Sequence, residues 1–149
     1  MVIKKRTKKP LSQKTLTRRK RVAFLKKTDP YLLKSRRIRS QLYRRFPKGH
    51  PLKASTPTQA EILVWLKSQE IKCYYSGAPL TLDTIQIDHK IPVARGGSNI
   101  LSNLCISSAH MNLIKGSMTD YEFKSLLALA STWEDRGEGL FRRLKQGHF

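Results

Sequence analysis

Apolar and polar positions alternate along this chain in short, well-punctuated runs, and each run predicts an element. After Asp29-Pro30, Ile38, Leu42 and Phe46 recur every four residues, with Arg36, Arg37, Arg39, Arg44 and Arg45 filling the other positions. This is the pattern of a helix with one apolar stripe, opened by an Asp cap and a first-turn proline. Pro47 to Pro51 ends it and forms a linker. Thr58 and Glu61 make a capping box for a second helix to about Gln69, with Ile62, Trp65, Leu66 and Gln69 on one face. Residues 71–82 are apolar and turn-rich, as in a short hairpin. Ile85 to Lys90 reads as a strand with Ile85 and Ile87 on one face, stopped by Pro92. A loop through Arg95-Gly96-Gly97-Ser98-Asn99 leads to a second short strand, Leu104-Cys105-Ile106. Ser107 or Ser108 then caps a helix through Asn112 to Lys115, ended by Gly116. Thr119 and Glu122 form a second capping box for a last helix whose Phe123, Leu126, Leu127 and Ala130 look like core. Strand, loop, strand, helix from Ile85 to Lys115 gives a ββα order, and the class is α+β. No internal repeat is visible.

Charge divides the chain more sharply than hydropathy does. Residues 1–50 hold 19 Lys/Arg against the single acid Asp29, a net of +18, while residues 51–149 are near neutral at +2. Three segments follow: a basic arm and helix over 1–50, a folded domain over 51–133 and a charged, Gly-spaced tail over 134–149. Residues 1–28 show no amphipathic period and are expected to be disordered until a polyanion binds them. So dense a cationic segment concentrates phosphate polymers by counterion release, so nucleic acid is the expected partner. No run approaches the roughly 18 apolar residues of a membrane span, and the N-terminus lacks the apolar core of a secretory signal. Two cysteines, Cys73 and Cys105, are too few for a disulfide framework. The expected setting is the cytoplasm of a bacterial or phage-infected cell, with an organelle as the alternative.

The chemistry concentrates in Ile87-Asp88-His89-Lys90-Ile91-Pro92, followed by Asn103 fourteen positions after His89 and Asn112 nine further on. His89 is the side chain poised to take a proton near neutrality. The Asp88 carboxylate and the Asn112 amide offer hard oxygen donors, which suit Mg²⁺. Adjacent strand residues point to opposite faces, so Asp88 and His89 share a site only if the strand ends there and the backbone turns. Asn103 can accept from a ring N–H of His89 or tie the loop together. Lys115 can contact phosphate or serve as a helix C-terminal cation. His110 lies about 200° around the helix from Asn112 and is expected to face away; His50 and His148 are expected to be solvated.

These residues, with Gly96-Gly97-Ser98-Asn99, Leu104 and Lys115-Gly116, resemble the HNH endonucleases. The resemblance covers roughly residues 71–127, and within the family the small homing endonucleases of phages and organelles look most similar. It implies a ββα-metal core with flanking helices and says nothing about the basic, partly disordered arm that charge predicts before it. It implies His89 as general base, Asp88 and Asn112 as metal ligands and Asn103 as the middle Asn of the motif. The expected cofactor is Mg²⁺ or Mn²⁺, with no small-molecule cofactor, and the expected substrate is double-stranded DNA. Arg36, Arg37, Arg39, Arg44, Arg45, Arg95 and Lys115 are expected to contact it. Many such proteins hold a structural Zn²⁺ with two Cys pairs. Here the four positions read Cys73, Ser76, Ser108 and Met111, and one thiol of four predicts no structural zinc. Three further readings compete: a nucleic-acid-binding protein with an inactive core of this kind, a structured-RNA or single-strand-directed nuclease, and a restriction- or packaging-type nuclease. Oligomeric state is not legible.

Overall fold

A computed structural model describes residues 12–131; residues 1–11 of the predicted arm and the predicted tail lie outside them. Five α-helices and one two-stranded antiparallel sheet make up the described residues: α1 (Gln13–Thr28), α2 (Pro30–Arg45), α3 (Gln59–Ser68), β1 (Gln86–His89), β2 (Leu104–Ser107), α4 (Ala109–Lys115) and α5 (Asp120–Ser131). Single 3₁₀ turns at Pro51–Lys53, Val93–Arg95 and Leu101–Asn103 punctuate the loops.

Helix α1 corrects the expectation of disorder for residues 1–28 over its own span. It has no apolar stripe and buries none of its residues, so propensity and capping, with its contact along α2, hold it in place of a core. Gln, Lys, Arg, Leu and Ala are good helix formers, and the Ser12 side chain accepts from the Thr15 N–H. Asp29 joins two helices: its N–H bonds to Leu25 O at the end of α1, and its carboxylate accepts from Leu32 N at the start of α2.

The core lies on one face of the sheet. Ile38 and Leu42 of α2 and Ile62 and Leu66 of α3 pack there against Ile85, Ile87, Leu104 and Ile106. The four-residue spacing of Ile38, Leu42 and Phe46 is fully used, each being at most 4% exposed. The capping box at Thr58 and Glu61 forms as the sequence predicts, with bonds in both directions; Gln69, however, is exposed and caps the C-terminus. On the opposite face of the sheet a smaller cluster gathers Cys73, Met111 and Phe123, with Tyr75, Leu80, Ile114 and Leu126 around it.

Register fixes what each face carries. Gln86 pairs with Ser107, Ile87 with Ile106, Asp88 with Cys105 and His89 with Leu104. Ile87 and His89 therefore share the face of the large core, and Gln86 and Asp88 share the other. The segment before β1 folds back through Cys73 N–Ala78 O and Leu80 N–Ile71 O bonds of 2.8 and 2.9 Å, the hairpin expected there. Tyr74 N reaches Ile106 O on the outer edge of β2 at 2.8 Å. On the outer edge of β1, Lys34 Nζ caps Ile85 O and Lys115 Nζ caps His89 O, both at 2.8 Å.

Candidate active site

The loop between β1 and β2 turns on a double glycine. Gly96 adopts φ +83°, and a Cβ on Gly97 would stand 1.8 Å from Ile91 O. Asn103 holds this loop shut: its Oδ1 accepts from Ile91 N at 2.8 Å, and its Nδ2 donates to Ile91 O and Ser98 O. Of the two roles open to Asn103 from sequence, the structure displays the loop tie. The bond to the His89 ring comes from a different residue. His89 Nε2 lies 2.8 Å from Oδ1 of Asn99, which is itself fully buried. The Asn99 amide nitrogen donates to Leu42 O at 3.1 Å and to Thr56 Oγ1 at 2.7 Å. Sequence reasoning misses Asn99 because its partners lie far away in the chain, on α2 and the linker before α3. Its place two residues after the glycine pair is the only local sign.

His89 is 2% exposed. Burial, which disfavours the imidazolium, holds its pKa below the ordinary value; the Arg45 cation adds to this, and the Asn99 bond and the Asp88 charge oppose it. A neutral ring at neutral pH is the form a general base needs.

Asp88 lies across the sheet from that ring. The expectation that a turn at the strand end brings both to one face is corrected: His89 stays in register with Leu104 and alternation holds. One carboxylate oxygen of Asp88 takes an ion pair from Lys115 Nζ at 3.1 Å and a hydrogen bond from Tyr75 OH at 3.1 Å. The Lys115 side chain is fully buried, which corrects its expected contact with phosphate. The short helix α4 rests on β1, and its last turn aims this residue inward, where the carboxylate and the His89 carbonyl satisfy it. Asn112, one turn earlier, is half-buried, and its Nδ2 donates to Gln86 Oε1 at 2.9 Å. Asn112 and Asp88 thus meet the same side of β1.

Among the described residues no three His, Cys, Asp or Glu side chains cluster as a metal cage. The Asp88 carboxylate and the Asn112 amide offer oxygen donors of the hard type that suits Mg²⁺ on one side of β1, and one Asp88 oxygen is already held by Lys115 and Tyr75. The four positions compared with a zinc site do converge in part. Ser108 N donates to Cys73 Sγ at 3.4 Å, and Met111 N donates to Ser108 Oγ. Burial alone would raise the Cys73 thiol, but hydrogen bonds from Ser76 and from backbone N–H groups outweigh it and bring the pKa down to about 7. Cys105, buried beside Tyr75, is pushed up to about 11.

Two grooves flank α2. One of about 460 Å³ runs along the outer edge of β1 and is lined by Lys34, Arg37, Arg45, Gln86, Ile87 and Asn112, among others. The other, about 560 Å³, lies between α1 and α2, where Arg18, Arg21, Arg36, Arg37 and Arg44 surround Val22, Leu25 and Leu33. Arg36, Arg37, Arg39, Arg44 and Arg45 are all exposed. Arg39 lies over the Tyr43 ring, and Arg95 is engaged by Glu122. His110 is exposed as expected; His50 instead stacks on Phe46 at 4.8 Å and accepts from Leu52 N.

Residues 73–121 match the family model described as HNH endonuclease. The match covers about a third of the chain and spans β1, β2, α4 and the start of α5, so this segment is similar to HNH endonucleases. No curated protein and no solved structure matched the chain.

Proposed function

We propose that this protein is a divalent-metal-dependent endonuclease that hydrolyses phosphodiester bonds of double-stranded DNA, acting at chosen sites in the manner of homing-type enzymes. The observation that carries the reading is the basic groove along the outer edge of β1. It puts the cations of α2 beside Asn112, with Asp88 on one face of the strand and the neutral imidazole of His89 on the other. A duplex backbone laid across this edge meets the arginines as phosphate contacts, which position without reading sequence. Asp88 and Asn112 would hold Mg²⁺ or Mn²⁺ through their oxygens, and a bound ion supplies charge stabilisation at the phosphate. His89 would remove a proton from the attacking water at the rim of β1, reaching the phosphate from the opposite face of the strand to the ion. Products would carry 5′-phosphate and 3′-hydroxyl ends.

The test is cleavage of supercoiled plasmid by wild type and His89→Ala, each with Mg²⁺, with Mn²⁺ and with EDTA, alongside duplex binding. The expected result is metal-dependent cleavage that falls about 10²–10⁴-fold in His89→Ala while binding is retained. Tight binding with no cleavage by the wild type, across both metals and several DNA sources, would replace this reading with that of a nucleic-acid-binding protein with an inactive core.

A further inference from the structure

A base with two ring nitrogens works through only one of them, and the surroundings of Asn99 select which. Its Nδ2 carries two hydrogens, and both are spent: one on Leu42 O, which can only accept, and one on Thr56 Oγ1. Turning the amide over would set Oδ1 against the Leu42 carbonyl, acceptor against acceptor, so the network decides the orientation. Oδ1 is left facing Nε2 of His89 at 2.8 Å with no hydrogen to give. The hydrogen in that bond must come from the ring. Leu42 is among the last four residues of α2, whose carbonyls lack partners within the helix. The amide therefore ends the basic helix and aims the imidazole at once.

We infer that Asn99 is a positioning residue that locks His89 in its Nε2–H tautomer, leaving Nδ1 as the nitrogen that takes the proton from water; this rests on His89 being the base. In the step, an O–H bond of water breaks and its proton passes to Nδ1. The water oxygen bonds to phosphorus while the P–O3′ bond breaks. The leaving O3′ gains a proton from solvent, and the imidazolium later loses its own to solvent. Throughout, Nε2–H keeps donating to Asn99 Oδ1, because the charged ring donates from both nitrogens. One acceptor thus serves the ring before and after proton transfer.

The experiment is ¹⁵N NMR of the histidine rings of the full chain at neutral pH, with His89→Gln assigning the signal, beside cleavage kinetics of Asn99→Ala, Asn99→Asp and Thr56→Val. Wild type should show protonated Nε2 and bare Nδ1. Asn99→Ala should show a mixture of tautomers and a cleavage rate about 10–100-fold lower, with duplex affinity and Mg²⁺ dependence unchanged. Asn99→Asp keeps an acceptor oxygen at the ring and should recover the tautomer, with a loss of stability because its other oxygen has no hydrogen to give the Leu42 carbonyl. Thr56→Val, which leaves the Leu42 bond in place, should retain the wild-type tautomer. A wild-type ring protonated at Nδ1, or an Asn99→Ala ring unchanged from wild type, would overturn the inference. The spectrum needs no turnover: an inactive wild type with protonated Nε2 refutes the nuclease reading alone, while protonated Nδ1 refutes the lock whatever the activity.

Discussion

Replacing Lys115 with Met removes an ammonium that the fold has enclosed, and the consequences can be worked out atom by atom. The Lys115 side chain is fully buried and Asp88 is 10% exposed. Nζ meets both Asp88 Oδ2 and His89 O. Methionine matches the stem of the lysine but offers neither atom a hydrogen. The carboxylate keeps Tyr75 OH alone, and the carbonyl loses this donor. Removing one member of a buried pair costs about 3–5 kcal/mol, because the other charge stays out of water. For a chain of this size that lowers Tm by about 6–20 °C. The Lys124–Asp120 pair lies nearer solvent than Lys115–Asp88 and is worth less, so Lys124→Met serves as the comparison. The assay is urea and thermal unfolding of wild type, Lys115→Met, Asp88→Asn and the double variant. The double variant leaves no unpaired charge and should be more stable than the sum of the single losses predicts, by about 2 kcal/mol. A loss below about 1 kcal/mol in Lys115→Met, or additive single losses, would refute the claim that this ammonium holds the carboxylate in place.

Three other outcomes are expected. Gly97→Ala should destabilise by about 1–3 kcal/mol or more, since its Cβ would collide with Ile91 O; urea midpoints against a Gly96→Asn control, where space is open, check this. Substituting Arg36, Arg37, Arg44 and Arg45 with Gln should weaken duplex binding evenly across sequences and flatten the salt dependence by about 0.9 in log–log slope for each phosphate left unneutralised; fluorescence anisotropy from low to moderate salt reads both. The depressed pKa of His89 means that the unfolded chain binds more protons than the native one between the ordinary 6.5 and the folded value. Stability should therefore fall as pH drops through that window and level off below it. Urea midpoints between pH 5 and 8 should show the slope in wild type and its reduction in His89→Gln.

Where sequence and structure agree, the deciding forces are local. The caps at Asp29, Thr58 and Ser108, the stripe of Ile38, Leu42 and Phe46, and the strands around Ile87 and Ile106 each depend on neighbours a few residues away. The differences come from packing and capping that periodicity does not encode. Helix α1 lacks the stripe by which a helix is recognised, and it forms from propensity, a serine cap and contact with α2. Lysines are rarely enclosed, so Lys115 reads from sequence as a surface cation; only the packing of α4 on β1 brings it to Asp88. Asn103 and Asn99 exchange parts for the same reason. Asn103 meets backbone within its own loop, whereas Asn99 reaches Leu42, 57 residues earlier.

A sheet of two strands is marginal by itself, and an open strand edge is a template on which another chain can add. Here the outer edge of β1 ends in two ammonium groups, from Lys34 and Lys115, seated on its carbonyls, and the outer edge of β2 is met by Tyr74. A third strand arriving at β1 would have to displace both cations from their acceptors. The small sheet is in this way guarded against edge-to-edge aggregation during folding, and its rim is left to charge and polar side chains rather than to backbone pairing.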